Sequence, residues 1–235
     1  MARKFGIDRA VRHAILVGSI FVAGNSLAWA QATSRSCVEG KDEQPGPACL
    51  MAHQPLGKLS GPSVYWQLYT YDDTVTAAHE QPPNSTLVVA FGRVWLFIVG
   101  PQGFVPKNGT RVAEVGPIPI EGDTDTVYAA EFLKSTFSPG MEAPVHVHSG
   151  PEAFYAISGD TCIETPEGVQ FGKGPGNTLF IRGGPLMLLM APGPDPRKGF
   201  ALILHDNSRA PTTLVKTWTP KGLCNGRKAI GHPDR

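Results

Sequence analysis

The sequence has little to attract a polyanion or a bilayer. Its 21 Lys and Arg are balanced by 20 Asp and Glu, a formal net charge of +1. That balance argues against the basic surface of a nucleic-acid-binding protein. No Cys-x-x-Cys occurs among its four cysteines, which disfavours a zinc ribbon or a thioredoxin-like redox pair. Nucleophile elbow and Cys–His pairing are also lacking. "GPGNTLFIRGGP" (174–185) is glycine-rich, but it opens a strand rather than a helix, so it does not support a dinucleotide site. Long hydrophobic runs are scarce. "TLVVAFGRVWLFIVG" (86–100) is broken by Gly92 and Arg93, so it reads as two strands and not as a membrane span.

The N-terminus is where the basic charge sits. "MARKFGIDRAVRH" precedes "AILVGSIFVAG", an apolar run too short to cross a bilayer. "AWA" follows, with small residues at Ala28 and Ala30. This order predicts a secretory signal over residues 1–30, cleaved before Gln31, and an exported protein, periplasmic or secreted. There is no Arg-Arg pair for a twin-arginine route. Four of the 21 basic residues and one of the 20 acidic residues lie in this segment, leaving 17 against 19, a formal −2. All four cysteines, Cys37, Cys49, Cys162 and Cys224, remain. An even number in an oxidising compartment suggests disulfides, in any of three connectivities. Cys37–Cys49 would close a short local loop, and Cys37–Cys224 would staple the two ends. Cys162, in an apolar run, also reads as a free, buried thiol.

Glycine (27) and proline (22) are plentiful, favouring many turns over long helices. From "SVYWQLYTY" onward, β-branched and aromatic runs of four to nine residues recur between turn residues, among them "RVWLFIVG", "EAFYAIS" and "GFALILH". This pattern predicts an all-β sandwich or barrel. Even "TVYAAEFLKST" reads as a strand among such neighbours. The expected organisation is an irregular N-terminal arm (31–60), an N-terminal β region (61–125), a barrel (126–220) and a flexible tail (221–235). A faint repeat between "EQPPNSTLVVAFGRVWLFIVG" and "HVHSGPEAFYAISGD" leaves two readings of 61–125: a degenerate copy of the barrel, or extra strands flanking it.

The chemistry concentrates in "PGMEAPVHVHSGPEAFYAISGD" (139–160). In an extended "VHVH", side chains alternate faces, so His146 and His148 share one. "SGP" permits a tight reversal, and a hairpin would bring Glu152 beside them, with Phe154 and Ala156 on its face. Two imidazoles and a carboxylate suit a borderline divalent ion and leave positions open for chemistry.

Gly140, five residues, His146, Val147, His148, three residues, Glu152, six residues and Gly159 resemble the first motif of the cupin superfamily, G(X)5HXH(X)3-4E(X)6G. The resemblance implies a small jelly-roll β-barrel with a metal inside. The second cupin motif fits less well. Gly184 matches its last glycine, but Arg182 stands at its proline, Met187 at its histidine ligand and Ala191 at its asparagine. The implied ligand set is His146, His148, Glu152 and Met187. A thioether is a weak ligand for Fe²⁺, Mn²⁺ or Zn²⁺, while copper tolerates it. Three readings stay open: a three-ligand centre, substitution by His205 or His79, or a metal-free pocket for an organic ligand.

The resemblance implies a metal-dependent enzyme acting on a small molecule. Oxygenase-type chemistry leads, with Fe²⁺ or Mn²⁺ favoured over Zn²⁺ or copper, and Glu152 is a candidate general base. The alternatives are a non-catalytic small-ligand-binding protein and a metal-dependent isomerase or lyase, since one fold hosts many functions. Exposed edge strands give a physical reason for a homodimer. Plainer expectations attach to other residues. Met187 fills core, His205 is an exposed strand end, and His79 lies in a loop. His53 falls in an irregular segment, Tyr155 packs outside the barrel, and Glu142 is solvated.

Overall fold

The structure, a computed structural model, describes residues 35–38 and 44–225. The predicted signal segment and residues 226–235 lie outside them. In chain order the elements are β1 (Gly46–Gly57), β2 (Ser63–Tyr71), a short α1 (Thr74–His79), β3 (Ser85–Ala90), β4 (Arg93–Gly100) and β5 (Thr110–Pro119). Then follow β6 (Tyr128–Phe137), β7 (His146–His148), β8 (Glu152–Ser158), β9 (Thr161–Thr165) and β10 (Gly168–Gly172). β11 (Thr178–Ile181), β12 (Leu188–Met190), β13 (Arg197–Asp206) and β14 (Thr212–Leu214) complete them.

A five-stranded antiparallel sheet, ordered β1-β6-β13-β8-β11, is the centre of the molecule. Both of its faces are buried, and the sequence alternation divides its side chains between two cores. Ala130, Phe132, Ala153, Tyr155, Phe200 and Leu202 pack on one side against Trp66, Trp95 and Phe97 of the sheet β3-β4-β2-β5. Phe137, Phe154 and Ile181 face the other way, onto Ile163 of β9 and Leu189 of β12. That second layer comprises β10-β9-β12 and the pair β14-β7. The fold class is all-β and jelly-roll in type, as the sequence predicts.

Several expectations are corrected. Residues 31–60 are not simply an irregular arm, because β1 runs through 46–57 and pairs with β6 along the sheet edge. Beyond a short parallel bridge from Ser36 to Leu50, β1 is hydrogen-bonded only to β6. Around Pro55 it is therefore an edge that tolerates proline, and register shifts accommodate its irregular pattern. Residues 61–125 form one four-stranded sheet plus α1, laid on the outside of the central sheet. Tyr155 does alternate away from Glu152, but into the core beneath that added sheet, with 8% of its surface exposed. Cys162 is not free. It is bonded to Cys224, and Cys37 is bonded to Cys49. The start of the expected tail is therefore anchored. The Glu164 carboxylate, fully buried, reinforces the anchor by accepting from the backbone N–H groups of Lys221 and Leu223. The two disulfides are consistent with an oxidising, extracellular compartment. Among the described residues, no helix is long and apolar enough to cross a membrane.

Candidate metal centre

His146 and His148 sit at the two ends of β7, a three-residue strand hydrogen-bonded to β14 on one side. On the other side His146 forms a reciprocal backbone bridge with Met187. The alternation predicted for "VHVH" holds: both imidazoles are buried and Val147 is not. The hairpin does not. β8 pairs with β11 and β13, not with β7, so Ser149–Pro151 carries the chain from one layer to the other. Gly150 makes this crossing possible, because a Cβ there would run into the Leu204 carbonyl of β13. Glu152 therefore meets the histidines from the facing layer. Ligands held by two facing layers cannot drift apart without separating the layers.

The three side chains converge. One ligand atom from each of His146, His148 and Glu152 lies within 4.8 Å of the others, and all three residues are buried. His148 Nε2 approaches Glu152 Oε2 to 3.0 Å, yet off the direction of a hydrogen bond, so both atoms are left without a partner. Buried polar atoms rarely stay unsatisfied, and an ion between them would satisfy both. Each imidazole is also oriented through its other nitrogen. His146 Nδ1–H donates to the Pro144 carbonyl at 2.6 Å. His148 Nδ1 lies 3.1 Å from both the Pro211 carbonyl and the Thr212 hydroxyl. Anchoring at Nδ1 leaves Nε2 for a metal, the arrangement typical of ligating histidines. Burial, with His148 close by, pushes His146 below the ordinary imidazole range and keeps it neutral. Burial also opposes charge on His148, but the Glu152 carboxylate outweighs it and holds that imidazole above its usual value. The residues present thus fit a divalent ion by donor type, burial and orphaned atoms.

Beside this triad lies a cavity of about 320 Å³. Its walls include Phe154, Ala143, Leu189, Ile203 and Leu214. Met187 packs in the apolar cluster of Phe154, Ile163 and Leu189 and is not part of the cavity wall. Arg197 is, and it is 1% exposed. Its Nε donates to the Thr161 hydroxyl at 2.8 Å and Nη1 to the Ser135 hydroxyl at 3.1 Å, while Nη2 has no partner. Among the described residues, no carboxylate lies within ion-pair distance of the guanidinium. Burial lowers its pKa to about 10, an effect that Glu152 partly offsets, so Arg197 is still cationic at neutral pH.

Sequence reasoning missed Arg197, Ser135, Thr161, Pro211 and Thr212. Each comes from a segment with no metal-ligand spacing, and only the fold brings it to the site. Glu142 is exposed, as expected, at the cavity rim. Neither His79 nor His205 substitutes for the missing motif histidine. His79 ends α1 on the outer sheet, and His205 is buried at 3% exposure in a different cluster with His53 and Glu131. The exposed strand end predicted for His205 and the irregular segment predicted for His53 are both corrected by the pairing of β13 and β1 with β6.

No family model and no curated protein matches this chain. Solved structures do. A conserved protein with a double-stranded β-helix domain from Klebsiella pneumoniae is 20% identical, over 42% of this chain and 84% of that one, with a TM-score of 0.32. A cupin-like protein from Thermotoga maritima is 16% identical, over 38% and 67%, with a TM-score of 0.34. A cupin domain from Bordetella pertussis is 20% identical, over 36% and 88%, with a TM-score of 0.28. These three are described as cupin or double-stranded β-helix proteins.

Proposed function

We propose that this protein is an exported, metal-dependent enzyme acting on a small organic anion, with oxygenase-type chemistry. The observation that carries the reading is the convergence of three buried donors, two with orphaned atoms, beside a largely apolar cavity whose wall holds a guanidinium with no carboxylate partner among the described residues. His146, His148 and Glu152 would hold the ion, with Met187 packed behind His146. A ferrous or manganous ion with open positions would polarise a bound oxygen-containing group or support reaction with O₂. The chain's own residues do the rest. Phe154 and Leu189 exclude water, which strengthens every charge interaction inside. Arg197 supplies a cation whose free N–H matches a carboxylate or another oxyanion, so the substrate binds with its negative end toward β13. Glu152, were it to swing off the ion, would be the candidate general base.

Elemental analysis of the exported protein, purified without chelator or histidine tag, is the test. Near-stoichiometric iron or manganese that is lost in His148→Ala supports the reading, and O₂ consumption with a panel of small carboxylic acids then reports the chemistry. Absence of metal from both proteins after reconstitution would overturn it. The substitution of Met187 for a fourth ligand would then favour the second reading, a non-catalytic receptor for the same anions.

A further inference from the structure

A second cluster of ligand-type side chains lies on the same face of the central sheet. His53 on β1 stands directly opposite Glu131 on β6, and Glu131 stands opposite Ile203 on β13, two residues before His205. The three residues thus sit on three adjacent strands, with their side chains on one face. One ligand atom from each lies within 4.8 Å of the others. Ligands bound at about 2.0–2.2 Å to a tetrahedral zinc ion stand roughly 3.3–3.6 Å apart, so closing the site needs side-chain movements of about 1 Å. Glu131 interposes no competing partner, for His53 Nδ1 approaches its Oε1 only to 4.0 Å.

Two further observations point to a ligand. His205 is 3% exposed, and its Nε2 has no hydrogen-bond partner. Glu131 Oε2 is buried and likewise unpaired. His205 Nδ1–H donates to the Asp206 carbonyl at 2.8 Å, which turns the lone pair of Nε2 toward the cluster. This is the outer-nitrogen anchoring that ligating imidazoles show, repeated at a second place in the same molecule. Burial keeps the His205 imidazole neutral by pushing its pKa down. The His53 side chain is 41% exposed, against 13% for Glu131, so the cluster opens to solvent at the edge strand.

We infer that His53, Glu131 and His205 form a second metal site, separate from the His146–His148–Glu152 centre, that takes a borderline divalent cation such as Zn²⁺. The ion would tie β1 to β6 and β13, with its remaining positions toward water. Glu131, Ile203 and Glu152 occupy one row across β6, β13 and β8, so the carboxylates of the two sites are separated by two strand spacings, about 10 Å. The sites are thus close neighbours with separate ligand sets.

The test is Zn²⁺ titration of the chelator-stripped protein, with stoichiometry read by calorimetry and elemental analysis, for the wild type, His148→Ala, His53→Gln and His205→Gln. Two equivalents in the wild type, one in each single variant and none in His148→Ala/His53→Gln would establish the site. His53→Gln is the safer variant, because its side chain is largely at the surface and its loss leaves no cavity. Should His205→Gln unfold by circular dichroism, His53→Gln alone decides. A His148→Ala protein that binds no Zn²⁺, or His53→Gln with wild-type stoichiometry, would overturn the inference. One equivalent in the wild type, kept by His148→Ala and lost by His53→Gln, would establish this site and reject the centre assigned above.

Discussion

At the scale of single residues, the centre depends on how each donor is held. His146→Ala removes a buried donor and its Nδ1 anchor together. Met187→Leu exchanges one apolar filler for another of similar volume, a change costing under about 1.5 kcal/mol. Metal content should therefore fall strongly in His146→Ala and stay near the wild-type level in Met187→Leu. Equal content in all three proteins would defeat the three-ligand centre. Arg197 separates stability from function. It is buried without a carboxylate partner among the described residues, so removing it relieves an uncompensated desolvation cost that offsets the loss of its hydrogen bonds to Thr161 and Ser135. Arg197→Met should hold or raise the Tm while weakening capture of small carboxylates at least tenfold, as read by calorimetry. The shared face of His146 and His148 was legible in the sequence, because a two-residue spacing on an extended segment fixes it. The route of Glu152 to them was not, because the expected hairpin is replaced by pairing of β8 with β11 and β13. Arg197 was not, because an arginine at the start of an apolar strand looks solvated until the fold buries it.

At the scale of elements, two contacts outside the site make separate predictions. The Tyr71 hydroxyl at the end of β2 donates to Glu80 Oε2, just past α1, at 3.1 Å. Burial and that carboxylate raise the Tyr71 pKa from 10 to about 12. The neutral phenol is thus favoured in the folded state. Its contribution is fully present below pH 10 and is lost as the pH rises through 12. Wild-type stability should decline over this window, and Tyr71→Phe should flatten the decline, as followed by urea unfolding at stepped pH. The Cys162–Cys224 disulfide spans 62 residues, and loop-closure entropy puts its contribution at about 4 kcal/mol. Cys162→Ala/Cys224→Ala should lower the unfolding free energy by that order, more than loss of Cys37–Cys49 with its separation of 12. Strand existence from 63 onward was legible in the β-branched and aromatic runs. β1 was hidden by its Pro, Gln and Gly content, which only an edge position with register shifts accommodates.

At the scale of the whole molecule, the added sheet and the jelly roll share a core. Phe97 of β4 packs edge-on to Trp66 and Phe200 and lies 5.3 Å from Phe132, so it touches both layers. Phe97→Ala should cost about 3–5 kcal/mol. Because the core is continuous, unfolding should remain a single transition at a lower denaturant midpoint, with tryptophan fluorescence and far-UV circular dichroism changing together. Two resolved transitions would show the outer sheet to be an independent unit.

The sequence by itself determined what is local: strands from alternation, and the shared face of His146 and His148 from their two-residue spacing. Such patterns need only the geometry of an extended chain. Tertiary structure decided what depends on distant segments meeting. It brought Pro211 and Thr212 behind His148, set Arg197 in the cavity wall and joined Cys162 to Cys224. It also gathered His53, Glu131 and His205, which no spacing relates, onto one face of three neighbouring strands. Strand order and register create these contacts, and neither is encoded in the periodicity of any single strand.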